Sequence, residues 1–302
     1  MAIIDAHMHL MTAAMFQRTL QRASASRQVA RERARVRGQT FQQRIAEMET
    51  VSLADQVKMW LEGFDGAGVR AGVFIAMGEA NEELAEFVRL GPGRLYGCGS
   101  LIDPTHPDAA RTVRRLPDLG ISALKLYAPS YRVHLNDRVI YPVYEAAAEC
   151  GLPIIIHFGI TIGGFNDLMY ANPLALSAPG RDFPEVTFII AHFGAGFLRE
   201  AMFLAYHTEN ICVDTSGTNN WRLYVPGEPS LEQVFRDALR TFGPKRILFG
   251  TDSTFFSGYR KQIVDEQVAI LDSLSLRHAK TQIDTCLDEG IVQIAVVAPG
   301  GQ

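Results

Sequence analysis

Several marks of other protein classes are scarce or missing in this 302-residue chain. It has four cysteines, Cys98, Cys150, Cys212 and Cys286, scattered, with no Cys-x-x-Cys pair and none beside the histidines considered below. That pattern argues against a disulfide framework and reads as reduced, largely buried thiols of a cytoplasmic protein. Net charge is only −4 with a pI near 6.1, so the molecule as a whole lacks the basic character that binds nucleic acid or an anionic membrane surface. The longest apolar stretches are broken by His and Gly and fall short of a bilayer span. The first apolar run starts at Ile3, which leaves no room for a signal peptide. No Gly-x-Gly-x-x-Gly follows that run, which removes support for a dinucleotide fold.

What the chain does have is 47% hydrophobic residues, enough for one large core, and four apolar runs that each end in a potential metal ligand. They are Ile3-Ile4-Asp5-Ala6-His7-Met8-His9, Pro153-Ile154-Ile155-Ile156-His157, Phe188-Ile189-Ile190-Ala191-His192 and Arg246-Ile247-Leu248-Phe249-Gly250-Thr251-Asp252. Continuous apolar runs of this length, bounded by Gly or Pro, read as strands buried on both faces, the habit of parallel sheets. Alternate residues of a strand share a face, so His7 and His9 point one way and Met8 into the opposite layer. Two imidazoles on one face can hold one ion, and His157, His192 and Asp252 can complete the site if their strand ends share a mouth. No equivalent ligand run is read elsewhere.

In chain order, residues 11–50 form an insertion rich in Arg18, Arg22, Arg27, Arg31, Arg33, Arg35, Arg37 and Arg44, whose Gln/Ala background favours helix. A solvated helical flap is the plain expectation. The functional one is a flap that lends an Arg to a substrate carboxylate. Ser52 with Asp55 then forms a capping box, and Val57, Trp60, Leu61 and Phe64 follow at helical spacing up to Gly66 and Gly68. Strands are expected over 72–77, 95–101, 121–127, 211–215 and 246–250, with helices between them, including 139–150, 197–207 and 230–242. Eight strand-then-helix units emerge, which implies parallel pairing through right-handed crossovers. Closed on itself, that pattern is a (β/α)8 TIM barrel with a helical insertion after the first strand, and its active site sits at the C-terminal ends of the strands.

The motifs just quoted, with Leu124-Lys125-Leu126 and Ile190-Ala191-His192-Phe193-Gly194, resemble the amidohydrolase superfamily and specifically its amidohydrolase-2 branch, which includes aminocarboxymuconate semialdehyde decarboxylase. The resemblance implies one TIM-barrel domain over 1–302, with 11–50 as the insertion and 274–302 as an atypical tail. It also implies that His7, His9, His157 and Asp252 hold one divalent ion, zinc, with His192 as an acid/base group outside the ligand set. Three imidazoles and a carboxylate suit zinc with an open position for water, whose pKa such an ion lowers from about 15.7 to about 7. Lys125 stands on the fourth strand, where binuclear relatives carry a carboxylated lysine; the branch resembles mononuclear enzymes, so Lys125 is read as pairing with a carboxylate or a substrate anion. Tyr127, Tyr131 and Arg132 follow it and are further candidates for the pocket lining. His106, His134, His207 and His278 have no such context and read as ordinary surface or interface residues.

The family's usual helix after the eighth strand is missing, and Ile291-Val292-Gln293-Ile294-Ala295-Val296-Val297-Ala298 stands there as an extra strand or apolar tail. The leading functional expectation is a hydrolase in which water, activated by the metal and by Asp252, attacks an amide, lactone or ester carbonyl of a small polar substrate while His192 stabilises the oxyanion. The alternative is a non-oxidative decarboxylase of a small carboxylated ring or unsaturated acid. A catalytically dead barrel that binds a ligand is a third class, against which the intact ligand set argues. The resemblance further implies a homodimer.

Overall fold

The computed structural model describes residues 3–22, 39–161, 166–217 and 221–274. One parallel sheet runs through it in the order β8-β7-β6-β5-β4-β3-β2-β1-β9. The strands are β1 Ile3–Leu10, β2 Val69–Ala76, β3 Leu95–Ser100, β4 Ile121–Tyr127, β5 Ile154–His157, β6 Phe188–Ile190, β7 Ile211–Asp214, β8 Ile247–Leu248 and β9 Ser253–Thr254. The two short strands at the ends of this order are consecutive in the chain. β8 pairs with β7, β9 pairs with β1, and between them Ala6 N donates to Phe249 O at 2.8 Å and Asp252 N to His7 O at 2.9 Å. The sheet therefore returns to its own first strand, and β8 and β9 are one barrel strand interrupted at residues 249–252. The sequence expectation of a continuous strand over 246–250 is corrected here: the interruption turns Asp252 toward the mouth, with φ at 56° in the left-handed region.

Two apolar layers follow from the period of two, which β1 resets at a register irregularity between Asp5 and Met8. Ile4, Val73, Cys98, Ala123, Ile155 and Cys212 are among the residues that fill the barrel interior. Met8, Phe74, Leu124, Ile154 and Val213 face outward under the helices. Trp60 and Phe64, on helix Leu53–Ala67, pack against Phe74, Trp60 edge-on at 5.0 Å between ring centroids. Full burial of each such side chain stabilises the fold by about 1.5–3 kcal/mol. Gly72 on β2 allows this approach, since a Cβ there would overlap the Met8 methyl and the Phe64 ring.

The helix signals operate as read. Ser52 and Asp55 form the capping box and Gly68 ends the helix in the left-handed conformation at φ 69°. Helices Asn81–Leu90, Tyr141–Glu149, Leu198–His207 and Leu231–Phe242 alternate with the strands as expected. The insertion contributes helices Ala13–Arg22 and Phe41–Glu49; Arg27, Arg31, Arg33, Arg35 and Arg37 lie outside the described residues, as do His278, Cys286 and the apolar stretch 291–298. Among the described residues no helix is long and apolar enough to cross a membrane.

Candidate active site

β1 carries the first two candidates. His7 and His9 lie on the same face, ring centroids 5.2 Å apart, while Met8 is buried in the outer layer. Asp5, two residues before His7 and ahead of the register irregularity, fastens β1 to the interruption in the eighth strand. Its Oδ1 accepts from His7 N and Thr251 N, both at 3.1 Å, and its Oδ2 accepts from Thr251 Oγ1 at 2.5 Å and Tyr259 OH at 3.2 Å. Burial outweighs these bonds and raises the Asp5 carboxyl to about 7. Next to this bolt stands Asp252, whose Oδ1 is 3.1 Å from His9 Nε2 and 3.9 Å from His7 Nε2. Its burial favours the neutral form, but the His9 hydrogen bond and the neighbouring imidazoles win and hold its carboxyl well below the usual range.

The opposite side of the mouth is built on β5, β6 and β7. β6 ends at Ile190, two residues before the position expected from sequence, and His192 sits in a turn in which His192, Phe193 and Ala195 all have positive φ. Such backbone is sterically costly for non-glycine residues and persists where surrounding contacts over-determine it. Here Asp214, the last residue of β7, accepts from His192 N at 3.0 Å. Gly217 completes the packing, since a Cβ there would press on His192 Nδ1 and Asp252 Oδ2. His192 Nε2 meets His157 Nδ1 at 3.0 Å, and His157 in turn stacks on Tyr127 at 4.3 Å with planes 6° apart.

Burial lowers the basicity of all three inner rings. His7 falls to about 3, first through burial and then through the Lys125 charge; His157 and His192 are also pushed down by burial, His157 the further. Asp214 is buried as well, yet its contacts with His7 and His192 keep it ionised. The pair is thus a neutral His7 beside an anionic Asp214. Lys125 is buried on β4, its Nζ 3.5 Å from His7 Nε2, and burial lowers its affinity for a proton. Among the described residues no carboxylate lies within ion-pair distance of it.

His7, His9 and Asp252 therefore offer three ligand atoms to one ion, and His7, His192 and Asp214 a second, overlapping group. His157 joins through His192, and its Nε2 is buried with no hydrogen-bond partner, as is His9 Nδ1. Orphaned imidazole nitrogens in a nest of carboxylates are the donor chemistry of a divalent cation. Of the pocket candidates, Tyr127 stacks on His157, and its hydroxyl lies 2.7 Å from Thr161 Oγ1. Tyr131 instead supports the β4 end, accepting from Tyr127 N and donating to Leu101 O, each at 3.0 Å. Arg132 is exposed, and no hydrogen bond ties it to the cluster among the described residues. From the insertion, Arg18 pairs with Glu83 at 2.9 Å, and Arg44 is buried with its guanidinium 4.2 Å from the Phe256 ring, just beyond β9. His106 accepts a local bond from Asp108 N, His134 lies against Tyr170, and His207 is exposed.

Sequence reasoning passed over Asp214 and Ser216. The expectation that no further ligand run exists is corrected by Ile211-Cys212-Val213-Asp214, an apolar strand that ends in a potential ligand as the other four runs do, here a carboxylate. The signal was the same as at β5 and needed only to be applied to aspartate.

The family model described as amidohydrolase matches residues 4–262. Protein fluG of Emericella nidulans is 28% identical over 104 residues, 34% of this chain; the match spans about a tenth of that relative's length, at 11%. Among solved structures, 5-carboxyvanillate decarboxylase from Sphingomonas paucimobilis superposes with a TM-score of 0.69 at 15% identity, covering 93% of this chain and 96% of the other. The 5-carboxyvanillate decarboxylase of Novosphingobium aromaticivorans, complexed with manganese and 4-hydroxy-3-methoxy-5-nitrobenzoic acid, gives 0.65 at 15% identity over 93% and 92% of the two chains. A probable 2-pyrone-4,6-dicarboxylic acid hydrolase from Acinetobacter baumannii with citric acid bound gives 0.61 at 15% over 94% and 96%. At these identities the structural likeness establishes the barrel fold.

Proposed function

The chain belongs to the amidohydrolase family, and from that premise we propose that it is a metal-dependent hydrolase attacking an amide, lactone or ester carbonyl of a small polar substrate. The observation that carries the reading is Asp252, an ionised carboxylate within reach of both His9 Nε2 and His7 Nε2. A group so placed can bind a cation held by those imidazoles and accept a proton from a water beside it. His7, His9, His157 and Asp252 are the proposed ligands, and the unpartnered His157 Nε2 supports the fourth. When bound, a divalent ion, zinc by this nitrogen-rich set, supplies an acidified water, from about 15.7 toward about 7, and a polarised carbonyl.

The protein's own groups do the rest. His192, held by Asp214 and Ser216 on one side and touching His157 on the other, is the proposed acid/base group, and it acts on the substrate when its Nε2 turns from His157 Nδ1 to the reacting oxygen. Lys125, with no carboxylate of its own, suits a substrate anion, and Tyr127 offers a flat wall beside His157. Arg132 remains a candidate for the outer pocket. Manganese in a structural neighbour makes that ion the natural alternative to zinc. A cytoplasmic homodimer acting on a small molecule completes the proposal.

The second reading, non-oxidative decarboxylation, is favoured by the cationic Lys125 next to the ligand cluster, which could hold the carboxylate that leaves, and by the decarboxylases among the structural neighbours. The two are separated by offering the metal-loaded protein 2-pyrone-4,6-dicarboxylate and 5-carboxyvanillate in ¹⁸O-labelled water. Label in a new product carboxylate establishes hydrolysis. Carbon dioxide release without such label establishes decarboxylation and overturns the leading reading.

A further inference from the structure

We propose that Asp214 is a positioning residue that sets the tautomer of His7 directly and, by holding Ser216 in place, those of His192 and His157 in series, so that the Nε2 lone pairs of His7 and His157 serve the mouth of the barrel. This deepens the metal-site reading and rests on it only where ion affinity is concerned.

An ionised carboxylate can only accept, and Asp214 Oδ2 lies 2.7 Å from His7 Nδ1. The proton of neutral His7 is therefore on Nδ1, and its Nε2 lone pair faces Lys125 Nζ and Asp252 Oδ1. Asp214 Oδ1 accepts from His192 N and Ser216 N, each at 3.0 Å, and from the Ser216 hydroxyl. With its hydrogen committed to Asp214, Ser216 Oγ presents only lone pairs to His192 Nδ1 at 2.8 Å, as does the Ser216 carbonyl oxygen, also at 2.8 Å. His192 must donate from Nδ1, so its Nε2 accepts from His157 Nδ1–H at 3.0 Å. The chain ends on His157 Nε2, a buried lone pair with no partner.

One carboxylate thus takes the His7 ring on one oxygen and the His192 backbone with Ser216 on the other, and the His157 proton position follows from that of His192. On the Nε2 side Lys125 Nζ, at 3.5 Å, favours the same tautomer, and Asp214 at 2.7 Å is the shorter of the two contacts. Hydrogen bonds of this kind fix ring orientation and raise ligand basicity, and their loss typically weakens metal binding by about 10- to 100-fold. Asp214 also pins the strained His192 backbone, so one residue couples β1, β6 and β7.

The test is long-range ¹H–¹⁵N spectroscopy of the histidine-labelled, metal-free protein, followed by calorimetric titration with zinc alone. Wild type should show His7, His157 and His192 as Nδ1–H tautomers. Asp214→Asn keeps an acceptor for His192 N and Ser216 N but turns an amide donor toward His7, so His7 should switch to Nε2–H and zinc affinity should fall about 10- to 100-fold. Ser216→Ala, which leaves the carbonyl acceptor, should keep the His192 tautomer and alter zinc affinity less than about threefold. His7 found as Nε2–H in wild type overturns the proposal even if the variant fails to fold. So does an Asp214→Asn protein with an unswitched tautomer, or a switched tautomer with unchanged zinc affinity. A variant that switches tautomer while wild type takes up neither zinc nor manganese upholds the positioning role and removes the metal reading instead.

Discussion

The two halves of the mouth are built from the same residue types but in different ways. In the inner half His7 and Asp214 are 0% and 1% exposed, and every proton position follows from a fixed acceptor. In the outer half His9 and Asp252 are 16% and 28% exposed, joined by one 3.1 Å contact, and His9 Nδ1 has no partner. Both halves use left-handed backbone, at His192 and Asp252 respectively. The inner strain is tied down by a hydrogen bond from His192 N to a buried carboxylate, the outer by the Asp5–Thr251 bolt. The inner half thus holds its imidazoles in fixed orientations, while the outer half leaves a carboxylate partly open to solvent.

Removing a ligand from the inner half tests this division most severely. The purified protein is expected to carry about one divalent ion per chain, and His7→Ala or His157→Ala to lose it, as read by elemental analysis. Two ions per chain with a carboxylated Lys125 would overturn the mononuclear assignment. Next in size is His192→Asn, expected to retain the ion while kcat drops about 10²- to 10⁴-fold. Loss of the ion in that variant would make His192 a ligand, and wild-type turnover would remove it from the chemistry.

The same contrast has a pH signature in the metal-free protein. His7, His157 and His192 have lowered folded-state pKa values, so below 6.5 the unfolded chain binds protons that the folded chain refuses. Stability is therefore full above 6.5 and is lost as pH falls toward the folded values, about 3 for His7, at about 1.4 kcal/mol per pH unit for each proton. Asp5, raised to about 7, works in the opposite direction between 3.8 and 7. Three imidazoles against one carboxyl leave a net fall, so the melting temperature should drop from pH 7 to pH 5, and His157→Gln should lessen the drop. A flat profile would show that the inner histidines charge freely. The smallest effect is expected from the insertion: deleting residues 18–44 should raise KM with fold and metal content intact, whereas unchanged kinetics would leave it a solvated flap. Arg44 against Phe256 is the contact through which that effect would travel.

Much of the barrel was legible because its rules are local. Apolar runs bounded by Gly or Pro marked the strands, Ser52-x-x-Asp55 and Gly68 bounded a helix, and alternation put His7 and His9 on one face. Where local rules failed, a tertiary contact had intervened. β6 stops short because the His192 backbone hydrogen bonds to Asp214 instead of continuing the ladder. The eighth strand breaks because Thr251 N and Oγ1 turn to Asp5. Arg44 is buried in a segment whose composition reads as solvated, because an aromatic ring from the far end of the chain lies under it.

Which residue types stand at the ends of which strands is written in the chain, since side-chain period and the order of the strands along it are local properties. Only the tertiary structure decided which of these residues touch: that Asp214 meets His7 across 207 positions, that His192 stands between His7 and His157, and that Asp252 leans on His9. The reason is physical. Barrel closure brings strand ends together in three dimensions, and proton positions are set by those contacts, for which no spacing along the chain is a substitute.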